Sequence, residues 1–386
     1  MTKLALTGNE AVAEAFRQVN PDVAAVYPIT PQTELMHKFS EYVYDGKVET
    51  ELIAVESEHS AMSAAVGAAA GGVRAITATS ANGLALMWEV LYIASGLRLP
   101  IVMAVVNRAL SGPLNIHCDH SDAMGARDSG WIQIYSENSQ EAYDNALQAF
   151  RIAEHSGVLL PTMITMDGFI ISHTTEVLEI LDDAAAREFV GEYKPMYTLL
   201  NPEQPVTMGP LDLQDYYFEH KRQQVEGMYN APAVIEQVAQ EYAALTGRKY
   251  GFIEAYRMED AETAVVVMGS AAGTTKDVVD TLRERGIKVG MVKLRVFRPF
   301  PHEQLAEALS HLKSVAVLDR CISFGAQGGP VYMETRSAMY GKEIPIYSYI
   351  YGLGGRDLIP SLVESAYNDL FEGTPDPKMR YLGLRE

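Results

Sequence analysis

Short runs that are apolar at nearly every position recur along this chain, each followed by a segment long enough for a helix. In the first 175 residues the runs are AAVYPI, ELIAVE, VRAITATS, LPIVMAVV and VLLPTMITM. Apolar runs of about four to eight residues without polar alternation suit parallel strands covered on both faces. The intervening SAMSAAVGAAAGG and GLALMWEVLYIAS are long enough for the crossover helices. This βαβα order predicts an α/β fold built on a doubly wound parallel sheet.

A second rhythm begins near Thr263 with TAVVVMG, TTKDVVDTLRERG, KVGMVKLRVF, HEQLAEALSHL, KSVAVLDR and IPIYSYIYGLGGRD. A chain of 386 residues has room for two or three cores, at roughly 100 to 200 residues per domain. Between the rhythms, EVLEILDDAAAREFVGEYKP is acidic and NPEQPVTMGPLD is dotted with proline. The polar stretch that follows reads as a helical arm with aromatic anchors at Tyr216, Tyr217 and Phe218. The expected division is a first domain over 1–245, including a connecting arm at about 176–245, and a second over 246–386. The loop GSAAGTTK lacks the spacing of either a P-loop or GxGxxG, so a tight strand-to-helix turn is favoured there over a phosphate cradle. The missing GxGxxG also counts against a nicotinamide-dependent dehydrogenase.

The formal charge of -19 repels nucleic acid and anionic membrane surfaces. The apolar run Leu99 to Val106 is far short of the roughly 20 residues that cross a bilayer. The opening MTKLALTGNE turns polar before an apolar core forms, unlike a signal peptide, so a cytoplasmic protein is expected. The chain has two cysteines, Cys118 and Cys321, in no CxxC spacing. An iron–sulfur cluster held by four thiolates therefore belongs on another polypeptide.

Chemistry-bearing residues collect where apolar runs end. In Tyr27–Glu34 prolines stiffen a loop that carries Thr30, either a ligand-facing hydroxyl at a strand's carboxyl end or a helix cap. In Val55–Ala61, Glu58 is a helix-end acid or an acid for a heterocyclic nitrogen, beside a small-residue helix that another surface can approach closely. Arg108 follows the run LPIVMAVV and is placed to grip a carboxylate. The loop His117–Asp122 has metal-ligand residue types, but without a helical acid–histidine pair ordinary loop hydrogen bonding is favoured.

Taken together, YPITPQTE, VESEHSA, ATSANGL, NRAL, DHSD and DGFIISH resemble the 2-oxoacid:ferredoxin oxidoreductases, specifically the alpha subunit of the multi-subunit pyruvate:ferredoxin form (pyruvate synthase). Downstream, MGSAAGTTKDVVD, LRVFRPFP, VLDRCISFGAQGG and GLGGRD resemble that family's second domain, similar to the C-terminal domain of transketolase. The resemblance implies a pyrimidine-binding thiamine diphosphate domain in which Glu58 hydrogen-bonds the aminopyrimidine nitrogen. It places Pro28 and Ile29 against the cofactor, and Thr30 and Arg108 on the substrate carboxylate. Glu56, on the strand side of the turn, is the less suitable acid. The implied reaction is the reversible oxidative decarboxylation of pyruvate with coenzyme A, electrons passing to ferredoxin.

No GDG signature, the family's mark of diphosphate and metal binding, occurs in the chain. The resemblance therefore implies a beta subunit with the diphosphate site, magnesium and a [4Fe-4S] cluster, together with gamma and ferredoxin-like delta subunits. No second basic residue adjoins YPIT or NRAL, which favours pyruvate over 2-oxoglutarate, branched-chain 2-oxoacids or oxalate. A non-catalytic scaffold whose small-residue surfaces only bind neighbours is the remaining alternative.

Overall fold

The structure is a computed structural model and describes residues 1–373 and 379–385. Two large sheets carry it. The first has seven strands, in the spatial order Val296–Arg298, Ile132–Tyr135, Thr162–Asp167, Val102–Asn107, Ala75–Thr79, Val23–Val26 and Glu51–Ala54. All its pairings are parallel except that of Val296–Arg298 with Ile132–Tyr135. The central strands Val102–Asn107 and Thr162–Asp167 are buried at every position, as strands covered on both faces are.

One face of this sheet is covered by the helices Gly8–Val19 and Ser139–Glu154, where Phe16 meets Phe39 and Phe150 edge-on at ring separations of 6.4 and 6.0 Å. The other is covered by Glu58–Ala70, whose Ala61, Ala65 and Ala69 let the helix lie close to the strands, and by Trp88–Gly96. Strand Val23–Val26 pairs with Glu51–Ala54 on one side and Ala75–Thr79 on the other. The winding reverses there, and the carboxyl ends around such a switch point form the crevice in which open α/β sheets bind ligands.

The second sheet has six strands, in the order Arg380–Tyr381, Ile346–Ile350, Ser314–Asp319, Thr263–Met268, Val289–Leu294 and Ile253–Tyr256, the last antiparallel to its neighbour. Helices pack on both of its faces. Gly269, at φ +71°, turns Thr263–Met268 into the helix Ala271–Glu284. The Ser270 N–H and hydroxyl both donate to Asp167 of the first sheet, at 3.1 and 2.5 Å. A carboxylate from within the chain thus fills the place a phosphate would take, and GSAAGTTK is the tight turn.

Three features depart from the sequence reading. Thr175–Ile180 is a strand that pairs antiparallel with Thr2–Thr7, and Asp183–Val190 is a helix, so the expected arm beginning at about 176 instead starts with packed structure. The acidic residues there mask an alternation that buries Leu178 and Ile180, while Asp182 caps the helix by accepting from Ala185 N–H at 3.0 Å. The run KVGMVKLRVF divides between sheets. Val289–Leu294 stays in the second and Val296–Arg298 edges the first, the turn between them being held by buried Arg295, which donates to Asn145 Oδ1 and Gln148 Oε1 at 2.9 and 3.0 Å. Finally, Ile132–Tyr135 is a strand in a segment not read as one.

The 30-residue helix Tyr217–Thr246 packs Ala231, Val234 and Ile235 against both Ile132 and Val296, so it bridges the two halves. Ahead of it, residues 191–216 contain no helix or strand and expose Tyr197, Leu200 and Leu211. Among the described residues no helix is long and apolar enough to cross a membrane.

Candidate active site

The carboxyl ends of Val23–Val26, Glu51–Ala54, Ala75–Thr79 and Val102–Asn107, four strands adjacent in the sheet, deliver Thr30, Glu58, Gly83 and Arg108 respectively. Glu58 is the first residue of its helix. The preceding Ser57 caps the helix, its hydroxyl accepting from Ser60 N–H at 3.2 Å. The Glu58 side chain is 7% exposed, and among the described residues nothing hydrogen-bonds its carboxylate. Glu56, by contrast, is exposed and takes the Ser60 hydroxyl.

Glu58 lies against Gly83, where a Cβ would come within 2.7 Å of Glu58 Oε1 and 2.4 Å of Thr79 Oγ1. The hydroxyls of Thr79 and Ser80 are fully buried and have no partner among the described residues. A buried carboxylate and orphaned hydroxyls are costly unless a ligand meets them. The set therefore fits a ring nitrogen pressed into this end of the sheet, with Glu58 able to hold a proton against it.

Arg108 is buried, with Nη1 donating to Thr30 O at 2.9 Å and Nε to Asn115 O at 3.0 Å. Its Nη2 has no partner among the described residues. The structure thus joins Thr30 to Arg108, through the Thr30 carbonyl rather than its hydroxyl, which remains exposed with the residue. Thr30 is not a helix cap either, since helix Thr33–Tyr44 begins after Gln32. Ile29 N–H donates to Gln32 Oε1 at 3.3 Å and its carbonyl accepts from Gln32 and Thr33, so only its side chain is free to meet a ligand. Pro28 is exposed on the same loop.

Sequence reasoning gave Asp122 only ordinary hydrogen bonding within the loop His117–Asp122 and no place in the site. Its buried carboxylate accepts from Ala81 N–H and Arg108 N–H, each at 3.0 Å, from Asn107 Nδ2 at 2.9 Å and from Ala123 N–H at 2.7 Å. Burial raises its pKa to about 6 against the opposing pull of these four donors. The rest of the loop His117–Asp122 faces the second half of the chain. There His120 Nε2 lies 2.7 Å from Asp167 Oδ1, and Arg320 Nη1 lies 3.7 Å from Asp167 Oδ2.

Cys118, His120 and Asp167 present ligand atoms within 4.8 Å of one another, but the Arg320 guanidinium already supplies the positive charge. Burial pushes the Asp167 carboxyl up, yet Arg320 and His120 outweigh it and hold it well below the usual range. Burial pushes the Cys118 thiol well up, leaving it protonated. Asp167 ends the strand Thr162–Asp167 and Arg320 follows the strand Ser314–Asp319, whereas Asp122 lies in the short helix Ser121–Gly125; all three fall in motifs that carry the family resemblance, but none was singled out for a role.

The helices Ala81–Leu86 and Trp88–Gly96, which pack on the Glu58 helix, leave Leu86, Trp88 and Ile93 exposed, and Glu89 pairs with His59 at 2.9 Å. Large exposed apolar patches rimmed by polar groups mark interaction sites.

Two family profiles match the chain: "Pyruvate flavodoxin/ferredoxin oxidoreductase, thiamine diP-bdg" over residues 14–240 and "Pyruvate:ferredoxin oxidoreductase core domain II" over residues 261–363. The protein named pyruvate synthase subunit PorA of Thermotoga maritima is 59% identical, the match covering 100% of this chain and 98% of that one. The ketoisovalerate oxidoreductase subunit VorA of Pyrococcus horikoshii is 44% identical over 95% of this chain and 93% of its own length.

Among solved structures, 2-oxoglutarate:ferredoxin oxidoreductase from Magnetococcus marinus superposes with a TM-score of 0.74 at 19% identity, over 95% of this chain and 65% of that longer one. A split-gene transketolase superposes with a TM-score of 0.55 at 12% identity, over 95% of this chain and 98% of that one. The fold is therefore that of a thiamine-diphosphate domain followed by a transketolase-like α/β domain, and the chain belongs to the pyruvate:flavodoxin/ferredoxin oxidoreductase family.

Proposed function

We propose that this chain is the alpha subunit of a pyruvate:ferredoxin oxidoreductase, contributing the aminopyrimidine half of a thiamine diphosphate site and the clamp for the substrate carboxylate. The observation that carries the reading is the buried, unpartnered Glu58 carboxylate, pressed against a position that admits only glycine. When bound, thiamine diphosphate supplies the carbon nucleophile and electron sink that decarboxylation of a 2-oxoacid requires.

Glu58 holds a proton at a ring nitrogen. Arg108 directs Nη2 at the substrate carboxylate, and the exposed Thr30 hydroxyl donates to the same group. Pro28 and Ile29 wall the loop and exclude water. The domain boundary is placed at 245/246, which lies in the gap between the two profile matches.

The missing GDG signature and the cysteine count support assigning magnesium, the diphosphate site and [4Fe-4S] clusters to partner subunits. These comprise a beta subunit together with gamma and ferredoxin-like delta subunits, and ferredoxin docks through them. The beta subunit is proposed to cover the apolar surface around Leu86, Trp88 and Ile93. The assembled enzyme is cytoplasmic, and coenzyme A accepts the acyl group.

Pyruvate is favoured because no second basic residue adjoins YPIT or NRAL beside Arg108, whereas 2-oxoglutarate or oxalate would bring a second carboxylate. A branched-chain 2-oxoacid is the second reading, favoured by the similarity to the ketoisovalerate subunit. The test is reduction of a low-potential acceptor by the purified complex in the presence of coenzyme A and each 2-oxoacid. Turnover with pyruvate is expected, and turnover with another 2-oxoacid but none with pyruvate overturns the substrate assignment. Glu58→Gln in the same complex is expected to lose at least about tenfold in kcat, and unchanged turnover would reduce the chain to a scaffold.

A further inference from the structure

We propose that Asp122 is a positioning residue for the substrate clamp: its carboxylate sets the backbone of Arg108 in register with the neighbouring strand end that carries Gly83. The inference rests on the reading of Arg108 as the clamp and adds the residue through which the clamp is held.

Asp122 belongs to the short helix Ser121–Gly125 and to neither strand end that it joins. One oxygen, Oδ2, accepts from Ala81 N–H and from Arg108 N–H, each at 3.0 Å. The other, Oδ1, accepts from Asn107 Nδ2 at 2.9 Å and from Ala123 N–H at 2.7 Å. Four donors saturate what an ionised carboxylate accepts.

Two of these donors belong to consecutive residues, Asn107 and Arg108, exactly where the strand Val102–Asn107 stops and the arginine turns toward Thr30. The third belongs to Ala81, which holds φ at +40°, a region that strains a residue with a Cβ. Ala81 opens the helix Ala81–Leu86, and two residues on is Gly83, which packs on Glu58. The same carboxylate therefore fixes both the strand end bearing the clamp and the turn that backs the acid.

Asparagine at 122 has nearly the same shape but turns an NH2 toward two N–H donors, so half of the contacts are lost and become repulsive. The effect should appear in substrate binding and should pass through Arg108. In the assembled complex, Asp122→Asn is expected to raise the KM for pyruvate on the order of tenfold, the size of losing a hydrogen bond to a charged group. The KM for coenzyme A should not change. In the Arg108→Ala background the same substitution should add little, as expected of residues acting as one unit.

An equal loss in both backgrounds, or a lowered melting temperature with KM unchanged, overturns the inference. If Asp122→Asn does not assemble, Asn107→Ala deletes a single donor to the same carboxylate. It should raise the pyruvate KM about threefold with the same coupling to Arg108, and an unchanged KM overturns the proposal. Arg108→Ala with an unaltered pyruvate KM removes the clamp reading and this inference with it. A raised KM in Arg108→Ala, beside an inert Asp122→Asn, removes the inference alone.

Discussion

Glu58 owes its surroundings to a residue without a side chain. Gly83→Ala would place a Cβ within 2.7 Å of Glu58 Oε1, so the carboxylate must move. Thiamine diphosphate affinity of the assembled complex, followed by titration, is expected to fall at least about tenfold, since small misplacements in a preorganised site are costly. Arg108→Lys keeps the charge but loses the fork that grips Thr30 O and Asn115 O while leaving Nη2 free. Its kcat/KM for pyruvate should drop by roughly tenfold or more.

The strand-end positions of Thr30, Glu58 and Arg108 were legible because each follows an apolar run. Asp122 was not, because what distinguishes it is a set of backbone donors brought from three separate segments, and backbone donors leave no trace in residue type. Asp319 makes a related prediction about pH. Burial pushes its carboxyl up to about 7, against the amides of Val331 and Tyr332. A carboxyl raised in the folded state favours folding below its unfolded value of 3.8, and that contribution is lost as pH rises to about 7. Asp319→Asn should therefore flatten the stability curve between these pH values, a difference on the order of 4 kcal/mol that urea unfolding at several pH values would register.

At the scale of elements, unbroken apolar runs announced the buried parallel strands, whereas strands that alternate or lie at edges were obscured. Thr175–Ile180 carries Glu176 on the face of Leu178 and Ile180 and Glu179 on the opposite face, and charge on both faces concealed a period of two. Ile132–Tyr135 contains Gln133, whose buried amide donates to Ala123 O at 2.8 Å, so a polar residue interrupted the run that would have revealed the strand. The arm was legible in part. Proline marked NPEQPVTMGPLD as irregular, and that stretch lies within 191–216, where the chain has no helix or strand and exposes much of its apolar content. Limited proteolysis of the isolated subunit should cut first in this stretch, and initial cleavage inside Tyr217–Thr246 would contradict the packing described for that helix.

Over the whole molecule, two rhythms correctly announced two sheets, but not how they are joined. Lys293 reaches Glu137 and Glu141, each at 2.6 Å, across the junction. Asp167 does the same with Ser270 and Arg320. Asp167→Asn leaves the Arg320 guanidinium uncompensated in the interior, and destabilisation on the order of 3–5 kcal/mol is expected in chemical unfolding. The antiparallel strand Val296–Arg298 has a broader consequence. It lends the first sheet its outermost hydrogen-bonding edge from a distant part of the chain, so a polypeptide stopped at residue 245 would leave Ile132–Tyr135 bare and ready to recruit a strand from another molecule. The halves are thus not interchangeable modules, and gene fission between them would trade one folded protein for a sticky fragment.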